Sequence, residues 1–333
     1  MISIPRSEIK PASAVVLLVI VAYFLAPTDF HLTVLTIVAI HGIAAVALTL
    51  AFGYAGLISL GSSAFFGLGA YTAAFAVQKM GLPSLVGLLM GVLVCGTTGY
   101  LLARPLLRLN SHYLAMATLA LGVVAYIVYG QARPFTCGLD PGIFGLEPLQ
   151  IFGFKLAGPL QMYWVCWGAL LISCLAGANL VHSARGRAMR ALRTSEVATS
   201  CLGVDTVGLR VMVFALSSSL IGLAGGLYAF FMRSFAASAF DPGLSIDILM
   251  MVLIGSMSTL WGAVVGALVI TVLPNLLEGF EHYKLLVFGL AMVAVMVLFP
   301  NGLVQSIVDA FKAAMLRRSG SVATDDAQRR DAP

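Results

Sequence analysis

Two sets of residues in this 333-residue chain have types and spacings that could do chemistry, and in neither is that chemistry catalysis. The first is GYAGLISLGSSAFFGLGAYT at 53–72, where Gly53, Gly56, Ser59, Gly61 and Ser62 interrupt a long apolar run. Glycine lowers helix stability and a hydroxyl is costly to desolvate, so lipid-facing helices seldom gather both. Broken backbone of this kind is tolerated in a membrane where neighbouring helices bury it or where it lines a polar path. An echo follows at 253–266, LIGSMSTLWGAVVG, which carries Gly255, Ser256, Ser258 and Gly262. Small residues at ordinary helix–helix contacts are the alternative reading of both segments.

The second set is basic. In SARGRAMRALRTSEVATSCLGVDTVG, residues 183–208, Arg187, Arg190 and Arg193 recur every third residue, followed by Glu196, Ala198 and Gly203. The spacing predicts a short amphipathic helix beginning after Gly186, with Ala188, Ala191 and Leu192 on a different face. A second short element is stopped by Gly203. Helical spacing, a placed acid and a glycine stop suit the docking of a partner. Arginines that only fix topology or meet anionic headgroups are the alternative.

Other chemistries find little support. The five cysteines stand apart, with no CxxC, and the five histidines are scattered without metal-ligand spacing, so neither a disulfide framework nor a metal site is expected. No G-x-x-x-x-G-K-[ST] phosphate loop occurs, and an ATP-driven role would need ATPase subunits from other chains. Proton-coupled carriers place acids or histidines deep in the membrane. Here the acids fall in connecting segments, with Asp247 and Glu278 near span ends. A sodium site made of carbonyls and hydroxyls stays open.

The elements that must position these residues are membrane helices. Sixty per cent of the chain is hydrophobic and only 10% charged, against about 25% charge in soluble domains. The expected fold is an all-α, polytopic integral membrane protein of about ten transmembrane helices (8–10), with glycine-broken or re-entrant segments. Spans are placed near 12–27, 31–52, 62–80, 84–104, 112–130, 160–182, 209–232, 245–257, 260–278 and 283–300. The segment 245–257 is short for a crossing and reads as a broken or re-entrant helix. Arg6 and Lys10 ahead of the first apolar stretch imitate a secretory signal, read here as a retained helix.

Residues 1–11 are expected to be cytoplasmic, 12–311 to form the membrane domain and 312–333 to form a disordered cytoplasmic tail. An external loop is placed at 131–159 and a cytoplasmic loop at 183–208. This orientation puts 14 of the 19 basic residues inside, as the positive-inside rule requires.

At these residues the chain resembles the membrane subunits of branched-chain amino acid ABC importers, the LivM/LivH type of permease. The resemblance is carried by GYAGLISLGSSAFFGLGAYTAA at 53–74, GRAMRALRTSEVATSCLGVD at 186–205 and SIDILMMVLIGSMSTLWGAVVGALV at 245–269. FALSSSLIGLAGGLYA at 214–229 adds to it. It implies a subunit of the bacterial inner membrane, with both termini cytoplasmic, working with a second homologous permease, two cytoplasmic ABC ATPases and an extracytoplasmic solute-binding protein. No nucleic acid is involved. The chain would be no enzyme and hold no cofactor, ATP and magnesium being bound by the ATPases.

The resemblance further implies that Glu196, Ala198 and Gly203 belong to an EAA-type coupling loop. Val197 departs from that pattern, standing where a second alanine is common, and no proline-ended continuation follows. The expected solutes are leucine, isoleucine and valine. Alternatives are urea or short-chain amides carried by the same architecture, or an autonomous ion-coupled carrier or channel.

Overall fold

The computed structural model describes residues 29–107, 111–132, 142–151, 154–156 and 158–276, with Gly289, Leu290, Val293 and Gly302. The expectations for 1–28 and 312–333, and nearly all of that for 283–300, lie outside these residues.

The described elements are helices apart from one two-residue β-ribbon. Helix α1, Asp29–Leu48, continues into a π-helical turn, Thr49–Tyr54; α2 is Ser62–Gln78, α3 Ser84–Leu106 and α4 Ser111–Gln131. Strands β1, Gln150–Ile151, and β2, Phe154–Lys155, pair antiparallel. Then come α5, Pro159–His182; α6, Ala184–Thr194; α7, Glu196–Cys201; α8, Thr206–Met232; a 3-10 turn, Ala237–Phe240; α9, Pro242–Gly255; and α10, Leu260–Leu276.

Five helical segments are long and apolar enough to cross a bilayer: 29–54, 84–106, 113–131, 159–182 and 206–232. The pair α9 and α10 makes a sixth candidate, bent by 120° at a short break, so the two helices act together rather than as two straight spans. Helix α2 is shorter than expected. Its 17 residues start where expected but end two residues before the end of the predicted 62–80, and reach about 26 Å. Ten spans are therefore not reached among the described residues.

Helix α1 is apolar on every side, and from Val38 to Leu48 it is buried except at His41, as such a helix must be. It lies at the centre, packed by α5, α8 and α10. Helix α3 is two-faced in the sense a membrane protein demands. Ser84, Gly87, Gly91, Cys95, Gly99 and Ala103 face inward, while Leu89, Leu93 and Leu101 are exposed. With lipid as the outer solvent, small residues do the packing and large aliphatic ones face away. At Gly69, Gly91 and Gly222 the backbones of α2, α3 and α8 come so close that a methyl group would collide with a neighbouring helix.

The two ends of the bundle differ. At one end, the segment after α4 closes over α2, α3 and α8. Ile143 and Phe235 exchange backbone hydrogen bonds of 2.9 and 3.0 Å, and the Ser84 hydroxyl donates to the Pro148 carbonyl at 3.3 Å. This is the ribbon end. The other end carries α6 and α7, and is the arginine end.

Candidate functional site

The opening glycine–serine segment is a true break. Gly53 lies in the six-residue π turn, and π turns inside helices recur at functional sites. Past Tyr54 the chain leaves the helix, with Gly56 at φ +71°, and α2 begins only at Ser62. Polar groups from other helices satisfy part of this stretch. The Leu60 N–H donates to the Thr118 hydroxyl of α4 at 2.9 Å. The Ser63 N–H donates to the Ser245 hydroxyl of α9 at 2.8 Å, which in turn donates to the Ser63 hydroxyl at 2.9 Å. Ser59 is buried, and its hydroxyl accepts from the Gly61 N–H at 3.5 Å. The Ser62 hydroxyl is buried with no hydrogen-bond partner among the described residues.

The second segment is the break between α9 and α10. Ser256 and Ser258 share a hydroxyl–hydroxyl bond of 2.8 Å, and the Ser258 N–H donates to the Ser256 hydroxyl at 3.2 Å. Gly255 and Gly262 bring the two helices into backbone contact, where a Cβ on Gly255 would meet the Gly262 carbonyl.

The two breaks touch. A Cβ on Gly53 would run into the Met257 carbonyl oxygen, and the Tyr54 hydroxyl donates to the Ser258 carbonyl at 2.9 Å. The sequence-predicted set thus divides in two. Gly53, Gly56, Gly255, Ser256, Ser258 and Gly262 gather at the arginine end. Ser59, Gly61 and Ser62 lie beyond them, toward Thr118 and Ser245. Tyr54, Thr118 and Ser245 are the residues the sequence reading missed. Isolated hydroxyls at 118 and 245 in apolar runs were the available signal.

The basic segment is helical, with corrections. Helix α6 starts at Ala184, three residues earlier than predicted, because the Ser183 hydroxyl accepts from the Gly186 N–H at 3.3 Å and caps it. Gly186 is inside this helix, against the Val181 carbonyl. Its inward face is Gly186, Met189 and Leu192, whereas Ala191 is exposed. Arg187 and Arg190 are exposed. Arg193 turns inward: its guanidinium donates to the Gly53 carbonyl oxygen, and its aliphatic stem lies beside Gly56.

Glu196 is engaged with Arg210 at the start of α8, in an ion pair of 2.7 Å. The Ala198 N–H donates to the Ser195 hydroxyl, capping α7, and Gly203 at φ +77° ends that element as predicted. Val197, Leu202 and Val207, in the stretch that follows α6, are 74%, 79% and 60% exposed. Among the described residues no three metal-ligating side chains gather.

A helical bundle of bilayer-crossing length, broken at one end by two glycine–serine segments beneath a basic surface helix, is the architecture of a polytopic membrane transport subunit. Residues 30–296 match the family described as branched-chain amino acid transport system / permease component, and the chain belongs to that family. Over 290 residues it is 29% identical to the high-affinity branched-chain amino acid transport system permease protein LivM of Salmonella typhimurium, covering 80% of this chain and 68% of that protein. LivM of Escherichia coli K12 matches to the same extent. The ribose import permease protein RbsC of E. coli K12 is 27% identical over 296 residues, covering 85% of this chain and 87% of its own length. No solved structure matches the chain.

Proposed function

We propose that this chain is the permease subunit of an ATP-driven importer of the bacterial inner membrane, carrying leucine, isoleucine, valine or a related small neutral or zwitterionic solute into the cytoplasm. The observation that carries the reading is the meeting of both glycine–serine breaks beneath the helix bearing Arg187, Arg190 and Arg193. A path has a place to bend there, and a soluble motor has a surface next to it.

The arginine end is assigned to the cytoplasm. Arg104, Arg185, Arg187, Arg190, Arg193 and Arg210 lie on that side by their positions in the elements, while Lys79 and Arg233 end helices at the ribbon end. The positive-inside rule supports this orientation. Both termini would then be cytoplasmic.

Two ATPases would dock on the exposed arginines and on Val197 and Leu202, and would bring their own ATP and magnesium. A second permease subunit would complete the path, and a solute-binding protein would deliver solute at the ribbon end. Rocking of the helices around the breaks would then open the path alternately to each side. Gly53, Gly56, Gly255, Ser256, Ser258 and Gly262 form its hinge at the cytoplasmic end, and Ser59, Gly61 and Ser62 line it further in.

The similarity to a ribose permease, over as much of the chain as the LivM similarity, favours a second reading in which the solute is a small sugar. Reconstitution of the complex from its native membrane tests both. Co-purification of two ATPases, with ATP-dependent uptake of leucine but not ribose, is the expected result. Ribose uptake would move the solute class, and recovery of the chain alone in several mild detergents would overturn the importer. Arg187→Glu should reduce ATPase co-purification about tenfold while leaving membrane insertion intact, the scale of losing charge-assisted contacts.

A further inference from the structure

The surface helix assigned to the motor carries three arginines, and they do two different things. All three are exposed, but Arg193 also reaches back to the bundle and donates to the Gly53 carbonyl. That carbonyl belongs to the π turn closing α1. Both contacts with Arg193 use glycine: Gly53 offers its backbone oxygen, and Gly56 leaves room for the arginine stem, with Cγ at 3.4 Å from where a Cβ would stand. On its other side, Gly53 abuts the Met257 carbonyl, and Tyr54 holds Ser258. A continuous line of contact therefore runs from α6 through the first break to the second.

The geometry points to Arg193 as a positioning residue that hands movement of α6 directly to the two breaks. In the chain the basic segment joins α5 to α8, so those two helices offer that movement its covalent routes. The contact at Gly53 is a third route, and it ends at the backbone of the hinge. This inference rests on the importer reading. It is opposed by a purely static role, in which a cation near the carboxyl end of α1 stabilises that terminus and does nothing else.

The two roles separate in the ratio of solute moved to ATP hydrolysed. The assembled complex, carrying wild-type chain, Arg193→Ala or Arg193→Lys, would be placed in liposomes and supplied with leucine, ribose or urea, whichever the wild type takes up. Arg193→Ala should retain its ATPases and hydrolyse ATP, while solute moved per ATP falls roughly tenfold, the scale of one charge-assisted hydrogen bond. Arg193→Lys should fall between the two. An unchanged ratio in Arg193→Ala would overturn the inference, as would loss of the ATPases from that complex, which would place Arg193 on the docking surface.

If Arg193→Ala fails to accumulate in the membrane, Arg193→Lys and Tyr54→Phe carry the same readout. The second removes the hydroxyl that donates to the Ser258 carbonyl and should lower the ratio by a few fold; wild-type ratios in both would overturn the inference. A wild-type chain recovered without ATPases would instead fail the importer reading, and that result needs no variant.

Discussion

Arg187 and Arg193 are six residues apart on one short helix and reach different partners, the His182 carbonyl and the Gly53 carbonyl. A helix advances 3.6 residues per turn, so side chains spaced by three drift around the axis until one of them faces the bundle. Arg193 is that one, in line with Met189 and Leu192 rather than with Arg187. Glu196 is likewise not free, because Arg210 holds it. With side chains 22% exposed for Arg210 and 47% for Glu196, the pair contributes below about 1 kcal/mol. Glu196→Gln should accordingly leave both stability and ATPase co-purification near wild type, in contrast to Arg187→Glu. A large loss of ATPase in Glu196→Gln would show that its carboxylate is itself an ATPase contact. Gly53 is the opposite case. A methyl group there meets a backbone carbonyl that cannot swing aside, so Gly53→Ala should destabilise the solubilised protein by about 1–3 kcal/mol in thermal unfolding.

At the scale of elements, the breaks are what sequence periodicity could show and packing had to complete. Glycines at 53, 56 and 61 announced an interruption, and the chain does leave the helix there. The gap after the first helix and the start of α2 at Ser62 match the expected spans. The π turn and the hydrogen bonds that Thr118 and Ser245 supply from distant helices were not legible, because they depend on packing. The shortness of 245–257 suggested a broken or re-entrant helix, and α9 and α10 together form a sharply bent pair. The stop at Gly203 was legible because a positive φ is a local steric matter. Gly203→Ala should cost about 1 kcal/mol and loosen the end of α7, which faster amide exchange between 196 and 203 would report.

For the molecule as a whole, the assigned orientation makes a prediction that does not depend on solute or partner. Cys95, Cys166 and Cys174 are buried, and Cys201 is exposed at the arginine end. In a chain carrying Cys137→Ser, a membrane-impermeant maleimide should label Cys201 in inside-out vesicles and leave right-side-out vesicles unlabelled. The reverse pattern would turn the protein over in the membrane and move the docking surface outside. This test also bears on the span count, since an odd number of crossings between the termini and residue 201 would reverse the expectation for one terminus.

The sequence by itself determined the solvent, the class and the three segments that matter. Apolar length, charge asymmetry, glycine–serine interruption and arginine spacing are all local quantities, written along the chain. Tertiary structure alone decided that the segments meet. Gly53 touches Met257 across more than two hundred residues of chain, and Arg193 closes on Gly53 from 140 residues away. No periodicity encodes such a contact. It arises because α1 lies at the centre of the bundle, with small residues letting its neighbours close around it, and the backbone left over at its end takes whichever partners that packing delivers.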